Sequence, residues 1–454
     1  MSSSTINQLT GSEQESIFEF KVYRKRWLLL FIFSCYSLLN SFQWIQYSII
    51  ENIVSKYYNV ESMAIDWTSM IFMVVFVPLI FPAMNFLDKK GLRWSIILGT
   101  CGTAAGACIK IASVHPDLFW VTFVGQTLVA MSQVFMLSVP PTLAAIWFGA
   151  KEVSTACSIA VFGNMFGIAM GFLVPPLLVK NHDNTDDIGS ELSIMFYYTA
   201  GFSTAVFLAA VFFFQDRPPT PPSAQQAQQK ENASRNADGF VNLVKRLFGN
   251  RSFVLVLLAF SINQGVTNSV STLLNQLLLT YFEGGEEFAG IVGLVSITSG
   301  MVGGVLLGVL QDRSHRFKQI TLAAFTMSLV GMSTFTLALE LKSSVAIYIT
   351  VAILGCFLGG YMPIAYDFAA ELTYPEPEGM TAGILILPAQ ISGALFTLGY
   401  GEMLRSVGPL WANVTLCCTL LVGSVIHVVI RPDLRRQAVC RASVQDSIPS
   451  YNAT

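Results

Sequence analysis

The chain has 454 residues, 53% of them hydrophobic and only 12% charged. An ordinary soluble domain carries about 25% charged residues, so a water-soluble enzyme, a disordered scaffold and a fibrous protein are excluded. A formal net charge of −2 offers no global attraction for nucleic acid. Eight cysteines are scattered, mostly inside apolar runs, without the spacing of a disulfide framework or a metal site. The composition is that of a membrane protein.

Twelve stretches free of Asp, Glu, Lys and Arg are candidate spans: 27–50, 67–87, 94–109, 118–150, 153–179, 192–215, 252–282, 288–311, 319–339, 343–366, 379–401 and 406–430. About 20 apolar residues cross the hydrocarbon core as a helix. Backbone groups in lipid must pair internally, so runs of this length form an all-α bundle and not a barrel. The third run is short, and Arg93 and Lys110 at its ends are expected to snorkel to the two interfaces. The fourth and seventh are long enough to tilt or to extend past the bilayer.

If both termini share one side, the loops of that side hold 21 of the 26 Lys and Arg. The five others are Lys56, Lys110, Lys180, Lys342 and Arg405. The positive-inside rule then predicts cytoplasmic termini. The polar residues 1–20 contain Glu13, Glu15 and Glu19, which fit neither a cleavable signal peptide nor a mitochondrial transit peptide. They predict a disordered cytoplasmic N-terminus. Residues 216–250, rich in Pro, Gln, Ser and Asn, predict a flexible cytoplasmic linker between six-helix halves at 21–215 and 251–432. Residues 433–454 form a cytoplasmic tail.

The halves read as repeats. A shift of 224 residues lays Asp88 of Asp-Lys-Lys-Gly-Leu-Arg93 on Asp312 of Asp-Arg-Ser-His-Arg316. A shift of 226 lays Glu152, Asn164 and Gly167 on Glu378, Gln390 and Gly393. Two parallel six-span repeats with a long central loop make the twelve-helix major facilitator architecture, with two pseudo-symmetric halves. Asp88, Arg93, Asp312 and Arg316 resemble that superfamily's signature loop. The resemblance implies a charge latch in which a carboxylate near a helix N-terminus or a basic partner holds one gate state.

Polar side chains at membrane depth face the bundle interior and mark candidate sites. Asn40, Gln43, Trp44 and Tyr47 share one helical stripe in the first span. Gln264, Asn268, Ser271 and Asn275 repeat it in the seventh, and Gln133, Asn164 and Gln390 lie in the fourth, fifth and eleventh. A single amide in a bundle commonly serves as interhelical glue. The stripe of span 1 reads instead as a cavity wall. Trp44 and Tyr47 offer π faces that attract a cation by about 0.5–2 kcal/mol each. With no Lys, Arg or His near mid-span, the pocket suits a small organic cation. Asp367, the one acidic residue assigned to a span, fits an inner-vestibule acid, a proton relay or a hydrated helix end. A monovalent cation entering a cell gains about 2.3 kcal/mol per 100 mV, so uniport by alternating access needs no coupled ion.

Longer runs carry a family resemblance. Asn40-Ser-Phe-Gln-Trp-Ile-Gln-Tyr47, Ile146-Trp-Phe-Gly-Ala150, Glu152-Val-Ser-Thr-Ala-Cys157, Gly171-Phe-Leu-Val-Pro-Pro176, Glu371-Leu-Thr-Tyr-Pro-Glu376 and Asp433-Leu-Arg-Arg-Gln437 resemble the feline leukaemia virus subgroup C receptor family, and the likeness runs from about residue 21 to 437. It implies a facilitative carrier of choline and ethanolamine at the plasma membrane, without a cofactor. Trp44 would stack on the ammonium, and Gln133 and Gln390 would contact the polar tail. Asn164, Asn268 and Tyr47 would complete the wall. Where choline-carrying members are expected to place a Tyr, this chain has Asn268, and where they place a Glu in span 10 it has Asp367. An amide at 268 suits the hydrogen-bonding ammonium of ethanolamine. The carrier is expected to act as a monomer in the lipid bilayer. Haem export is a rival reading, disfavoured by His115, His182, His315 and His427 lying in loops or near span ends. A non-transporting receptor or sensor is another. An enzyme is the least favoured, because no nucleophile, carboxylate pair or metal motif appears.

Overall fold

The computed structural model describes residues 23–149, 152–219, 240–374, 376 and 378–431. The expectations for the 1–20 and 433–454 tails, and for most of the linker, lie outside them. Among the described residues, twelve helices are long and apolar enough to cross a membrane. Numbered in chain order as spans 1 to 12, they are Lys25–Tyr58, Ser62–Leu87, Lys89–Ile111, Phe119–Ser138, Thr155–Leu178, Thr185–Phe213, Arg251–Leu279, Glu286–Ser314, Phe317–Glu340, Ser344–Thr373, Thr381–Ser406 and Pro409–Val429. An even number of crossings returns the chain to its starting end. We call that the terminal end and the opposite one the distal end.

Spans 1 to 4 differ from their apolar runs for local reasons. Span 1 is broken: a helix Lys25–Ile45 gives way to a turn, a 3₁₀ turn Ser48–Ile50 and a second helix Glu51–Tyr58. The fourth run stops as a helix at Ser138, and Pro140 opens a separate helix, Pro140–Trp147. Proline removes an amide donor and its ring fits only the first turn of a helix. Spans 2 and 3 meet at Gly91, whose φ of 85° lies in the left-handed region open to glycine. The linker also differs from expectation, since Phe240–Gly249 is helical. Leu247 of that helix is buried, and Arg246 pairs with Glu376 at 2.8 Å.

Small residues set the packing inside each half. Gly163, Gly167 and Gly171 recur every fourth residue on span 5 and seat Ser34, Leu38 and Phe42 of span 1. A Cβ on Gly167 would stand 2.3 Å from the Leu38 carbonyl oxygen. In the other half, spans 8 and 10 approach through Gly300 and Gly303 against Gly355, Cys356 and Gly359. Small-residue seams of this kind allow dispersion contact between backbones where lipid supplies no hydrophobic drive. Spans 1 and 4 run antiparallel in a clear register. Tyr36 donates to the Ser132 carbonyl at 2.5 Å, Asn40 to the Val129 carbonyl at 3.1 Å, and Gln126 to the Gln43 carbonyl at 2.6 Å.

The seam yields a direct test. Gly167→Val forces its side chain into the backbone of span 1, at a cost of about 1–3 kcal/mol or more. Thermal melts of detergent-solubilised protein should show a lower Tm for this variant. Gly201→Ala, on an exposed helix face with open space around it, should melt like the parent chain.

Candidate functional site in the bundle centre

The break in span 1 lies one residue beyond Trp44. Helical hydrogen bonding there ends with Gln46 N–H donating to the Phe42 carbonyl at 3.1 Å. The next carbonyl, that of Gln43, takes its proton from the Gln126 side chain. Buried backbone groups in lipid cannot stay unpaired, so this side chain makes the break tolerable. Trp44 is 9% exposed and belongs to a buried cluster with Met73, Val129, Ala130, Val270, Ala389 and Ala394. That cluster runs through both halves of the bundle.

The polar stripe of span 1 divides. Asn40 donates to Thr103 Oγ1 and to the Val129 carbonyl, both at 3.1 Å. Gln43 accepts from Lys110 Nζ at 3.0 Å. Tyr47 is fully buried, with its hydroxyl 3.1 Å from Thr122 Oγ1 and Lys110 Nζ 5.5 Å from its ring centre. Three of the four are thus held by the bundle, and Trp44 alone has no such partner. Lys110 corrects an expectation: it is 1% exposed and points into the half instead of snorkelling. Its ammonium has an amide oxygen and a π face within reach, both supplied by span 1.

Gln133 is half-buried, and its Oε1 is buried without a hydrogen-bond partner. In the register of spans 1 and 4 its Cα lies about 12 Å along the axis from that of Trp44, at 1.5 Å per residue. Helical side chains lean toward their own N-terminus, so in an antiparallel pair these two lean toward each other. Asn268 of span 7 lies over Gly393 of span 11, where a Cβ would stand 2.6 Å from its Nδ2 and 2.9 Å from Met73 Sδ. Gln390 is half-buried one turn before Gly393. Asn164 is committed elsewhere, donating to Ser41 Oγ at 2.6 Å and lying 3.6 Å from Met136 Sδ. Among the amides that the sequence did not single out, Asn263 of span 7 is fully buried with neither amide atom hydrogen-bonded. It stood outside the stripe shared by Gln264 and Asn268.

The carboxylates sit away from this centre. Among the described residues the buried ones are Glu51, Asp66 and Glu286 toward the distal end and Glu371 toward the terminal end. Asp367 is exposed. A further carboxylate lies at the first of the expected latch loops. The side chain of Asp88 lies outside the described residues. Asp216, at the end of span 6, accepts from the Arg93 N–H at 3.3 Å, and a Cβ on Gly91 would meet its carboxylate at 2.2 Å. Arg93 also donates to the Val211 carbonyl. Asp312 and Arg316 are exposed, and the span 8 terminus is secured by Gln311 donating to the Ile364 carbonyl at 3.3 Å.

At the distal end, hydrogen bonds join the two halves. Asn52 donates to Glu286 at 2.7 Å, Asn275 to Asn52 at 2.9 Å and Asn181 to Glu286 at 3.2 Å. Gln276 donates to Asp66 at 2.7 Å, and Arg405 lies 3.6 Å from the same carboxylate. Ser69 and Thr272 share a hydroxyl bond at 3.2 Å, and Lys180 pairs with Glu287. The bundle is closed on that side.

A model of the Major Facilitator Superfamily matches residues 29–433. The choline/ethanolamine transporter flvcr2b of Danio rerio is 46% identical over 419 residues, covering 92% of this chain and 86% of its own. The choline/ethanolamine transporter FLVCR2 of Homo sapiens is 41% identical over 438 residues, covering 96% and 83%. This chain belongs to the feline leukaemia virus subgroup C receptor family. It is a multi-pass membrane transporter, as the family's members are, and not an enzyme. Among solved structures, a D-xylose–proton symporter superposes with a TM-score of 0.68 at 11% identity, covering 89% of this chain and 98% of its own. A bacterial homologue of the lysosomal transporter Spinster gives 0.64 at 14% identity, covering 94% and 99%. At these identities the likeness concerns the fold alone.

The distal closure generates a prediction. Asp66→Asn weakens the ties to both Gln276 and Arg405, and so favours opening at that end. A cysteine placed at Ser69 should then react several-fold faster with a membrane-impermeant maleimide applied from the distal side. The same cysteine with Asp66 intact should stay protected.

Proposed function

We propose that the chain is a facilitative carrier of choline and ethanolamine working by alternating access. The observation that carries the reading is Trp44: a nearly buried indole at the break of span 1, with no buried carboxylate at its level. A quaternary ammonium is attracted to such a face by about 0.5–2 kcal/mol. An anionic guest would find no counter-charge there, because the ammonium of Lys110 is enclosed behind Gln43 and Tyr47. Gln133, with its unpartnered Oε1, and Gln390 are suited to orient a hydroxyl tail. Asn268 stands where a further π face would complete a cage, and Asn164 and Tyr47 back the wall from positions their own partners fix.

The relatives' printed names support the substrate, and the basic loops support a plasma-membrane orientation with cytoplasmic termini. On that orientation the closed distal end is extracellular. Uniport driven by gradient and membrane potential needs no coupled ion. Haem export is not supported: His427 donates from Nδ1 to the Gly423 carbonyl at 2.9 Å, and its Nε2 takes the Tyr361 hydroxyl at 3.0 Å, so neither nitrogen is left for iron.

Labelled choline and ethanolamine uptake in cells lacking their own carrier tests the reading. Trp44→Ala should reduce apparent choline affinity by up to about thirtyfold, the equivalent of 2 kcal/mol, while Trp44→Phe should retain part of it. Full uptake by a folded Trp44→Ala variant would sink the site. Asn268→Tyr, by adding a π face, should lower the choline KM by about two- to fivefold and leave ethanolamine nearly unchanged.

A further inference from the structure

We infer that Lys110 is a positioning residue for Trp44: it donates to the amide of Gln43 and lies against the π face of Tyr47, and so braces the break of span 1 and leaves the indole as the face open to a guest. The inference rests on the reading of Trp44 as the substrate face.

The geometry carries it. Lys110 is a fully enclosed span residue whose Nζ reaches two groups, Gln43 Oε1 at 3.0 Å and the Tyr47 ring at 5.5 Å. These residues flank Trp44, one on each side of the helix end at Ile45. A lysine can only donate, so it fixes which way the Gln43 amide points, and Gln43 Nε2 turns back to its own Leu39 carbonyl at 3.3 Å. Gln126 holds the Gln43 carbonyl from span 4. Thr122, also on span 4, lies 3.1 Å from the Tyr47 hydroxyl and donates to Ser113 Oγ at 2.7 Å, while Ser113 donates to the Lys110 carbonyl at 2.6 Å. The circuit closes on Lys110. Room for its stem comes from Gly125, where a Cβ would stand 2.9 Å from Lys110 Cγ.

A lysine enclosed in this way is costly unless its partners are worth keeping. The partners here are the two residues that define where the first helix of span 1 stops. Removing the ammonium frees Gln43 and Tyr47 together, and a small displacement of a binding group can cost a hundredfold in function.

The test uses the full chain labelled with 5-fluorotryptophan, with the Trp44 resonance assigned by its loss in Trp44→Phe. Lys110→Met keeps the stem and removes the charge. It should shift or split the Trp44 resonance while the six other indoles keep theirs, and should raise the choline KM about tenfold or more with less change in Vmax. Lys110→Arg should restore part of both. Gln126→Met, which removes the other arm of the brace, should move the same resonance and keeps the question answerable if Lys110→Met fails to fold. An unmoved Trp44 resonance in a folded Lys110→Met or Gln126→Met chain overturns the proposal. The spectroscopic readout needs no substrate, so a moved resonance with choline uptake insensitive to every Trp44 variant would uphold the brace and reject the carrier reading instead.

Discussion

Hydrocarbon gives an unpaired peptide group no partner, and the architecture around Trp44 follows from that constraint. A helix that stops in mid-membrane exposes carbonyls at its end, each costing several kcal/mol if left unmet. Span 1 stops at Ile45 and meets the cost with Gln126, a side chain from another helix. The break can therefore exist only where span 4 presents an amide in register. Register in turn depends on Tyr36, Asn40 and Gln43 meeting successive turns of span 4. Local irregularity at the candidate site is thus bought with a long polar seam beside it.

The seam also sorts the polar residues by role. Asn40, Gln43, Tyr47 and Asn164 all carry groups suited to a ligand, yet each is held by a neighbouring helix. Trp44 has a large apolar ring in the same stripe and no polar tie of that kind. Specificity in such a cavity comes as much from which polar groups are already occupied as from which are present. Lys110 extends the logic to charge, since its ammonium is enclosed by the residues that border the indole.

Much of the fold was legible because periodicity and length are local properties. The twelve apolar runs matched twelve spans, and polar residues at helical spacing marked the right faces. Other features depended on partners far along the chain. Gln-Trp-Ile-Gln-Tyr contains no proline or glycine to announce a break, which is stabilised by Gln126, 83 positions away from Gln43. Lys110 at the end of a short apolar run looks like a snorkelling residue until Gln43 and Gly125 are seen to make room for it. Asp216 could not be matched to the Gly91 loop by spacing, because the pairing reaches across four spans. The period-four glycines of span 5 and the apolar residues of Phe240–Gly249 were local signals, hidden respectively by a glycine-rich composition and by a Pro- and Gln-rich neighbourhood.

The placement of charge bears on how two states of such a bundle can stay in balance. The ties that close the distal end are amide–carboxylate and hydroxyl bonds with a guanidinium near one carboxylate, set in the outermost turns where water can replace them. Net contributions of about 0.5–1.5 kcal/mol for a neutral hydrogen bond, and somewhat more with a charged partner, add up to only a few kcal/mol. A closure built from fully desolvated ion pairs would be far harder to reopen. A carrier needs the opposite: states separated by a few kcal/mol, so that a guest's differential affinity can shift the population. Keeping the carboxylates at the ends also leaves the centre neutral, where a fixed counter-ion would hold a cationic guest in place and slow its release. In this arrangement the gate supplies reversible polar closure, and the centre supplies a modest attraction that either state can surrender.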